Sequence, residues 1–158
     1  MSVLALGAVL EGHHDYTIVD GNDSSDPLRL LRDQVRQGAT AVAVTVMPGP
    51  QLSHAYPHCR ALRNEFPELK IIWGGYFPTL HATACLTSRF VDYVIRGHGE
   101  LVFLEFLNGL EQGSFLHSLP GLAYRDDKGT VIENPMAPIP HPEELPSWPY
   151  HRLDMGRY

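Results

Sequence analysis

The chain has 158 residues, 44% hydrophobic and 19% charged, and its 18 acidic and 12 basic residues give a net charge of -6. That composition is one globular domain of ordinary size, and an acidic balance without any Lys/Arg-rich run excludes nucleic acid as the main partner. No stretch nears the roughly 18 consecutive apolar residues of a membrane span, the apolar start SVLALGAVL lacks the basic region and cleavage site of a signal peptide, and two cysteines, Cys59 and Cys85, read as reduced, buried thiols of a cytoplasmic protein.

In chain order, residues 3–10 form a short strand or part of a helix, and Gly12 breaks that pattern. YTIVD (Tyr16 to Asp20) is short and β-branched and runs into GND, so it reads as a strand entering a turn. Asp26-Pro27 opens a helix, an N-cap residue followed by proline at the first helical position, with Leu28, Leu31 and Val35 on one face and Gly38 at the stop. In ATAVAVTVM (Ala39 to Met47) both faces can be buried, as a central parallel strand requires. Leu52, Ala55, Tyr56, Cys59, Leu62 and Phe66 recur at helical spacing, with Pro57 kinking that helix or standing near its start. KIIWGG (Lys70 to Gly75) is a strand, Thr79 to Ser88 a short helix, YVIRG (Tyr93 to Gly97) a strand, and Glu100 to Gln112 a helix ended by Gly113.

Alternating strands and helices with short loops predict an α/β fold, a doubly wound parallel sheet of flavodoxin-like or Rossmann-like form. Beyond Leu119 the rhythm changes. GLAYRDDKGTVIEN reads as a β-hairpin with Asp-Lys-Gly at its turn, and six prolines between Pro135 and Pro149 read as an extended linker. The expected organisation is an α/β domain over 1–118, a hairpin over 119–134 and a proline-rich linker over 135–158.

Ligands of open α/β sheets bind beyond the carboxyl ends of the strands. Three such ends stand out: Thr45-Val46-Met47 after one strand, Gly74-Gly75-Tyr76 with Thr79 after the next, and Gly97-His98-Gly99-Glu100 after the third. Glycine permits positive φ and close approach of a ligand to the backbone, and a helix starting near Glu100 aims free amides at such a ligand. Three adjacent ends of this kind make a broad platform. Taken singly, each glycine is explained by turn geometry alone.

The run KIIWGGYFPTLH, VDYVIRGHGE, LPGLAYRDDKGTVIENP and LPSWPYHRLDM resembles, in order and spacing, the cobalamin-binding domain that precedes the catalytic barrel of radical S-adenosylmethionine (radical SAM) enzymes. That resemblance implies that Thr45, Val46, Met47, Gly74, Gly75, Tyr76, Thr79, Gly97, His98, Gly99 and Glu100 cradle the corrin ring of cobalamin and its side chains. It implies no catalytic residue and no protein metal ligand in this chain. The [4Fe-4S] cluster and S-adenosylmethionine belong to a barrel expected in cis beyond Tyr158, since the Cys-x-x-x-Cys-x-x-Cys motif is absent. His98 stands where the family usually has Glu. The family's opening strand and proline-containing loop are also missing, so the chain is expected to be incomplete at both ends as a functional unit, with YTIVD and AVAVTVM deprived of a shared neighbour.

Nine histidines occur, none in the Asp-x-His-x-x-Gly pattern of an axial cobalt ligand. His54 and His58 have the spacing of half a zinc site, but Pro57 lies between them and no third ligand is evident. No nucleophile–base or carboxylate pair stands out. Two other readings compete: a response-regulator-like signalling domain, which lacks its expected acidic residues and Lys here, and an interaction module docking through its prolines.

Overall fold

The computed structural model describes residues 2–21, 23–114, 117–153 and 156. Among these residues six α-helices and five strands follow in the order α1 (Ser2–Leu10), α2 (Pro27–Arg36), β1 (Ala41–Thr45), α3 (Pro50–Glu65), β2 (Lys70–Gly74), α4 (Tyr76–Leu80), α5 (Ala82–Thr87), β3 (Tyr93–Ile95), α6 (Glu100–Glu111), β4 (Leu122–Arg125) and β5 (Val131–Glu133). The strands form one sheet in sequence order, with β1, β2 and β3 parallel and the β4–β5 hairpin added antiparallel to β3. The fold is α/β, as expected.

Alternation along the strands divides the core between two faces. Val42, Ile71, Trp73, Val94 and Ala123 point to one face, where α3 and α5 cover them with Cys59, Leu62, Cys85 and Leu86, and α2 adds Leu28, Leu31 and Val35. Ile72, Ile95, Leu122 and Tyr124 point to the other, under Val9 and Leu10 of α1 and Phe103 and Phe106 of α6. Cys59 Sγ accepts a hydrogen bond from Trp73 Nε1 at 3.2 Å, and burial pushes both thiols up to about 11. They are inert packing groups.

Local chemistry explains the element ends. Asp26 caps α2 by accepting from Arg29 N at 3.0 Å, and Arg32 and Arg36 both bond Glu65 at the end of α3, each at 2.7 Å. The hairpin turn is closed by Asp126 Oδ1, which accepts from the backbone of Lys128 and Thr130, and Gly129 takes the left-handed conformation. Arg125 donates to the carbonyls of Leu86 and Val91, fastening the hairpin to the parallel part of the sheet.

Several expectations need correction. YTIVD is not a strand: residues 15–20 have no regular structure and stand in no ladder. Tyr16 instead turns toward α1, where its ring lies against Gly7 and its hydroxyl donates to Glu11 at 2.7 Å. β-Branched residues favour strands only where a neighbour supplies the pleated surface, and none is present there. For the same reason the strand read as central, Ala41–Thr45, is an edge strand: it pairs with β2 alone, and Ala43 is exposed. Residues 3–10 are helical. The helix expected over Thr79–Ser88 is two short ones broken at His81, and α3 begins at Pro50 and runs through Pro57.

The segment rich in proline returns to the start of the chain. Arg152 donates to both carboxylate oxygens of Glu11 at 2.8 and 3.0 Å, and its guanidinium lies 4.9 Å from the centre of the Tyr16 ring. The Arg152 bond pulls the Glu11 carboxyl down to about 2, and burial, with the bond to Glu11, pushes the Tyr16 phenol up to about 12. Glu11 therefore holds the tail fully above pH 4.5 and loses that hold as the pH falls toward 2. His14 makes a second tie across this end, between Asn108 and Glu111 of α6 at 2.9 and 3.0 Å.

Candidate functional site

At the carboxyl ends of the three parallel strands the backbone turns are bonded to one another. Val46 N donates to Gly74 O at 2.8 Å, which ties the end of β1 to the end of β2. Phe77 N donates to Val46 O at 3.1 Å. Thr79 makes the third tie: its hydroxyl donates to Gly75 O at 2.7 Å and accepts from Gly97 N at 2.9 Å, joining the turn after β2 to the turn after β3.

Gly75 has φ 94 and ψ -168, a region essentially confined to glycine. A Cβ there would stand 3.0 Å from Thr45 Oγ1 and 3.1 Å from both Val46 N and Val46 O. Gly97 is also left-handed, at φ 77, and the Met136 methyl lies over it, 2.7 Å from where a Cβ would be. At Gly99 a Cβ would meet Ile95 Cγ2 at 3.0 Å. Gly75 thus lets the turn after β2 approach the end of β1 more closely than a side chain would allow, whereas at Gly97 and Gly99 a Cβ would crowd Met136 and Ile95.

The turns border a cavity of about 170 Å³, below the roughly 300–1,000 Å³ of pockets that enclose a ligand. A large ligand would therefore rest across its mouth. Seven of the eleven residues singled out in the sequence line it: Thr45, Gly74, Gly75, Gly97, His98, Gly99 and Glu100. The other four stand elsewhere. Val46 is fully buried and contributes backbone bonds, Met47 is exposed with its N–H on Gln51 Oε1, Tyr76 is exposed on α4, and Thr79 bridges two turns from behind.

Sequence reasoning missed the rest of the lining. Ser2 and Leu6 of α1, Ala43 and Val44 of β1, Ile72, Ile95 and Phe103 carry the cavity down one face of the sheet between α1 and α6. Strand parity could have named Ile72 and Ile95. The α1 residues required knowing which face α1 covers.

Glu100 stands at the first turn of α6, and its Oε2 is a buried oxygen without a hydrogen-bond partner. Two other buried polar atoms lack partners among the described residues, Arg63 Nε and Arg96 Nε, and neither residue borders the cavity. A larger hollow of about 410 Å³ lies away from the strand ends, between α3 and α5 over Trp73 and Phe90, with an almost wholly apolar lining.

Thr79→Val should expose what the bridge contributes. The substitution keeps the shape and removes both hydroxyl bonds, leaving Gly97 N without its acceptor while Gly75 O keeps Thr79 N, at roughly 0.5–1.5 kcal/mol per bond. The melting temperature should fall by several degrees, at about 2–4 °C per kcal/mol for a chain of this size. Thr79→Ser, which keeps the hydroxyl, should melt within about 2 °C of the parent on the same scale. Equal melting of the Val and Ser variants would show that the bridge holds nothing.

The site can be set beside known proteins. The chain is 29% identical over 157 residues to an anaerobic magnesium-protoporphyrin IX monomethyl ester cyclase of Synechocystis sp., covering 96% of this chain and 31% of that one. It is 28% identical over 162 residues to an uncharacterized methyltransferase of Pyrococcus horikoshii, covering 97% of this chain and 34% of that one. It thus spans about a third of the length of these curated relatives. Among solved structures it is similar to the cobalamin-dependent S-adenosylmethionine radical enzyme OxsB with aqua-cobalamin bound. The TM-score is 0.75 at 18% identity, over 93% of this chain and 21% of that one, a likeness of fold. The family model of the B12 binding domain matches residues 1–107, well over half of the sequence, and the chain belongs to that family.

Proposed function

We propose that this chain holds cobalamin across the turns after β1, β2 and β3, as the cofactor-carrying part of a cobalamin-dependent radical SAM enzyme. The observation that carries the reading is the set of three turns locked side by side by Thr79 and the Val46 backbone, with glycine wherever a Cβ would intrude. The residues present fit a corrin. A flat ring needs a flat floor free of side chains, and its amide-bearing rim needs polar partners at the edge. Gly74, Gly75 and Gly99 supply the first, and Thr45, His98 and Glu100 the second. When bound, cobalamin would supply a cobalt centre that can carry a methyl group or take part in radical chemistry.

This chain's own share is binding and orientation. The free amides of the first turn of α6 and its helix dipole would favour the polar rim of a bound ring, and Leu6, Ile72, Ile95 and Phe103 would give it an apolar wall. The reaction, methyl transfer or radical rearrangement or cyclisation, belongs to a barrel in cis that carries the [4Fe-4S] cluster and S-adenosylmethionine. Residues 1–118 form the binding domain, 119–134 its hairpin extension and 135–158 the lead toward the barrel.

The test is direct. The purified chain, mixed with hydroxocobalamin and desalted, should retain about one equivalent by visible absorption. A colourless protein fraction would refute the reading and favour a domain of this fold without a cofactor.

A further inference from the structure

We infer that the hollow between α3 and α5 is a second binding site, for a small uncharged molecule built on an aromatic ring. It lies on the other face of the sheet from the cavity under the three turns. Trp73 and Phe90 belong to the core beneath α3 and α5, whereas Ile72, Ile95 and Phe103 belong to the core beneath α1 and α6. The two spaces share no lining residue, so the inference goes beyond the cobalamin reading and does not depend on it. At about 410 Å³ the hollow falls within the roughly 300–1,000 Å³ of pockets that enclose a ligand.

The walls select the chemistry. Tyr56, Trp73, Phe77 and Phe90 all line the hollow. Phe90 stands edge-on to Tyr56, with centroids 5.0 Å apart and planes at 87°, and tilted toward Trp73 at 5.6 Å and 63°. Rings set at such angles offer both faces and edges, so one more ring gains over an aliphatic group of equal size. The serine hydroxyls and the indole N–H of the lining are already satisfied. Ser53 Oγ donates to Gly49 O at 3.3 Å, Ser88 Oγ to Cys85 O at 2.5 Å, and Trp73 Nε1 to Cys59 Sγ at 3.2 Å. Burial keeps the Cys85 thiol protonated, and among the described residues no charged side chain lines the hollow. Water there finds few partners, and an ion would lose its hydration without compensation. A protein partner fits less well, because a specific interface buries about 1,200 Å² or more. Gln51 and His54 of α3 and Thr83 and Thr87 of α5 stand exposed beside the lining residues in the chain, so both helices give the hollow a polar rim.

The probes are phenol and cyclohexanol, which are uncharged, nearly equal in size and alike in carrying one hydroxyl, and which differ in the ring. Trp148→Phe leaves Trp73, in the wall of the hollow, as the only tryptophan of the chain. Its fluorescence, excited where phenol does not absorb, should change saturably with phenol. The dissociation constant should be on the order of 1 mM, as befits a ligand of about seven heavy atoms. Cyclohexanol should bind about 3–10-fold more weakly, the order of one aromatic pair. Ala84 lines the hollow from an exposed position on α5, where leucine suits the helix and fills the space. Ala84→Leu should weaken phenol binding at least about 10-fold. It should take up hydroxocobalamin as the parent does and melt within about 2 °C of it. If Ala84→Leu melts lower than that, Ala84→Met, whose flexible side chain fills irregular space, replaces it in the test.

A response to phenol that rises linearly without saturating overturns the site, and so does a filled variant that binds phenol as tightly as the parent. Cyclohexanol binding as tightly as phenol overturns the aromatic class of the ligand. Uptake of hydroxocobalamin is read separately on the same proteins, so each of these outcomes is distinct from a failure of the cobalamin reading.

Discussion

Gly74→Val should abolish cobalamin uptake while the protein melts within about 3 °C of the parent, and Gly75→Val should lower the melting temperature by roughly 10 °C. The two residues are neighbours at the end of β2, but their backbones differ. Gly74 is the last residue of the strand and is not left-handed, and a Cβ there would meet only Ile95 O, at an ordinary 3.5 Å. Valine is at home in such a position. Its methyls project into the space that the cavity and its mouth provide, so the cost falls on the ligand. Gly75 is at φ 94 and ψ -168, and its Cβ would press on Thr45 Oγ1 and on the Val46 backbone at 3.0–3.1 Å. That conformation costs an ordinary residue about 1–3 kcal/mol, more for a β-branched one. The crowding adds to it, because the atoms met are backbone and cannot swing away. Gly75→Val should also lose cobalamin, but through collapse of the turn. Melting curves and uptake of hydroxocobalamin, measured on both variants, separate the two. Undiminished uptake by Gly74→Val would remove the corrin from this floor.

Sequence patterns located these turns because turn chemistry is local. Two glycines after KIIW, and glycines flanking His98, follow from the short-range sterics of leaving a parallel strand, and residues in contact along the chain reveal them. The strands β1, β2 and β3 and the hairpin were legible for the same reason: each carries its alternation within five residues. What pairing does to a strand is not local. Ala41–Thr45 has two faces fit for burial and reads as central, yet its place in the sheet depends on whether a neighbour stands on its other side. Tyr16–Asp20 has strand composition, but Tyr16 finds Glu11 and the groove at Gly7 a better partner than an empty edge. The candidate site divides in the same way. Residues on the turns themselves were readable, whereas Ser2, Leu6 and Phe103 reach the cavity only because α1 and α6 cross one face of the sheet together. The Thr79 hydroxyl bridges two turns, and no spacing rule distinguishes a hydroxyl that faces a ligand from one that faces two backbones.

Phe106→Ala should produce the largest loss of stability of any substitution considered, and it links the core to the site. Phe106 is fully buried at the centre of α6. Its ring stands edge-on to Tyr93 of β3, with centroids 4.7 Å apart, and packs in the cluster that includes Ile72, Ile95, Leu122 and Tyr124. Truncation to alanine removes that packing and leaves a hole, at about 3–5 kcal/mol. The melting temperature should drop by roughly 10–15 °C at 2–4 °C per kcal/mol. Phe106→Leu fills most of the space and should cost about 1–2 kcal/mol, with a fall of a few degrees. The consequence for binding follows from the position of α6. One turn before Phe106 is Phe103, which lines the cavity, and one turn before that is Glu100, at its edge. If the packing of Phe106 sets the height of α6 over the sheet, Phe106→Ala should weaken cobalamin binding even at temperatures where it is folded, and Phe106→Leu should restore it nearly in full. If Phe106→Ala melts low but binds as the parent does, the Gly97–Gly99 turn alone holds the helix end in place. Melting and uptake measured side by side on the three proteins decide between a helix positioned by its core and one positioned by its first turn.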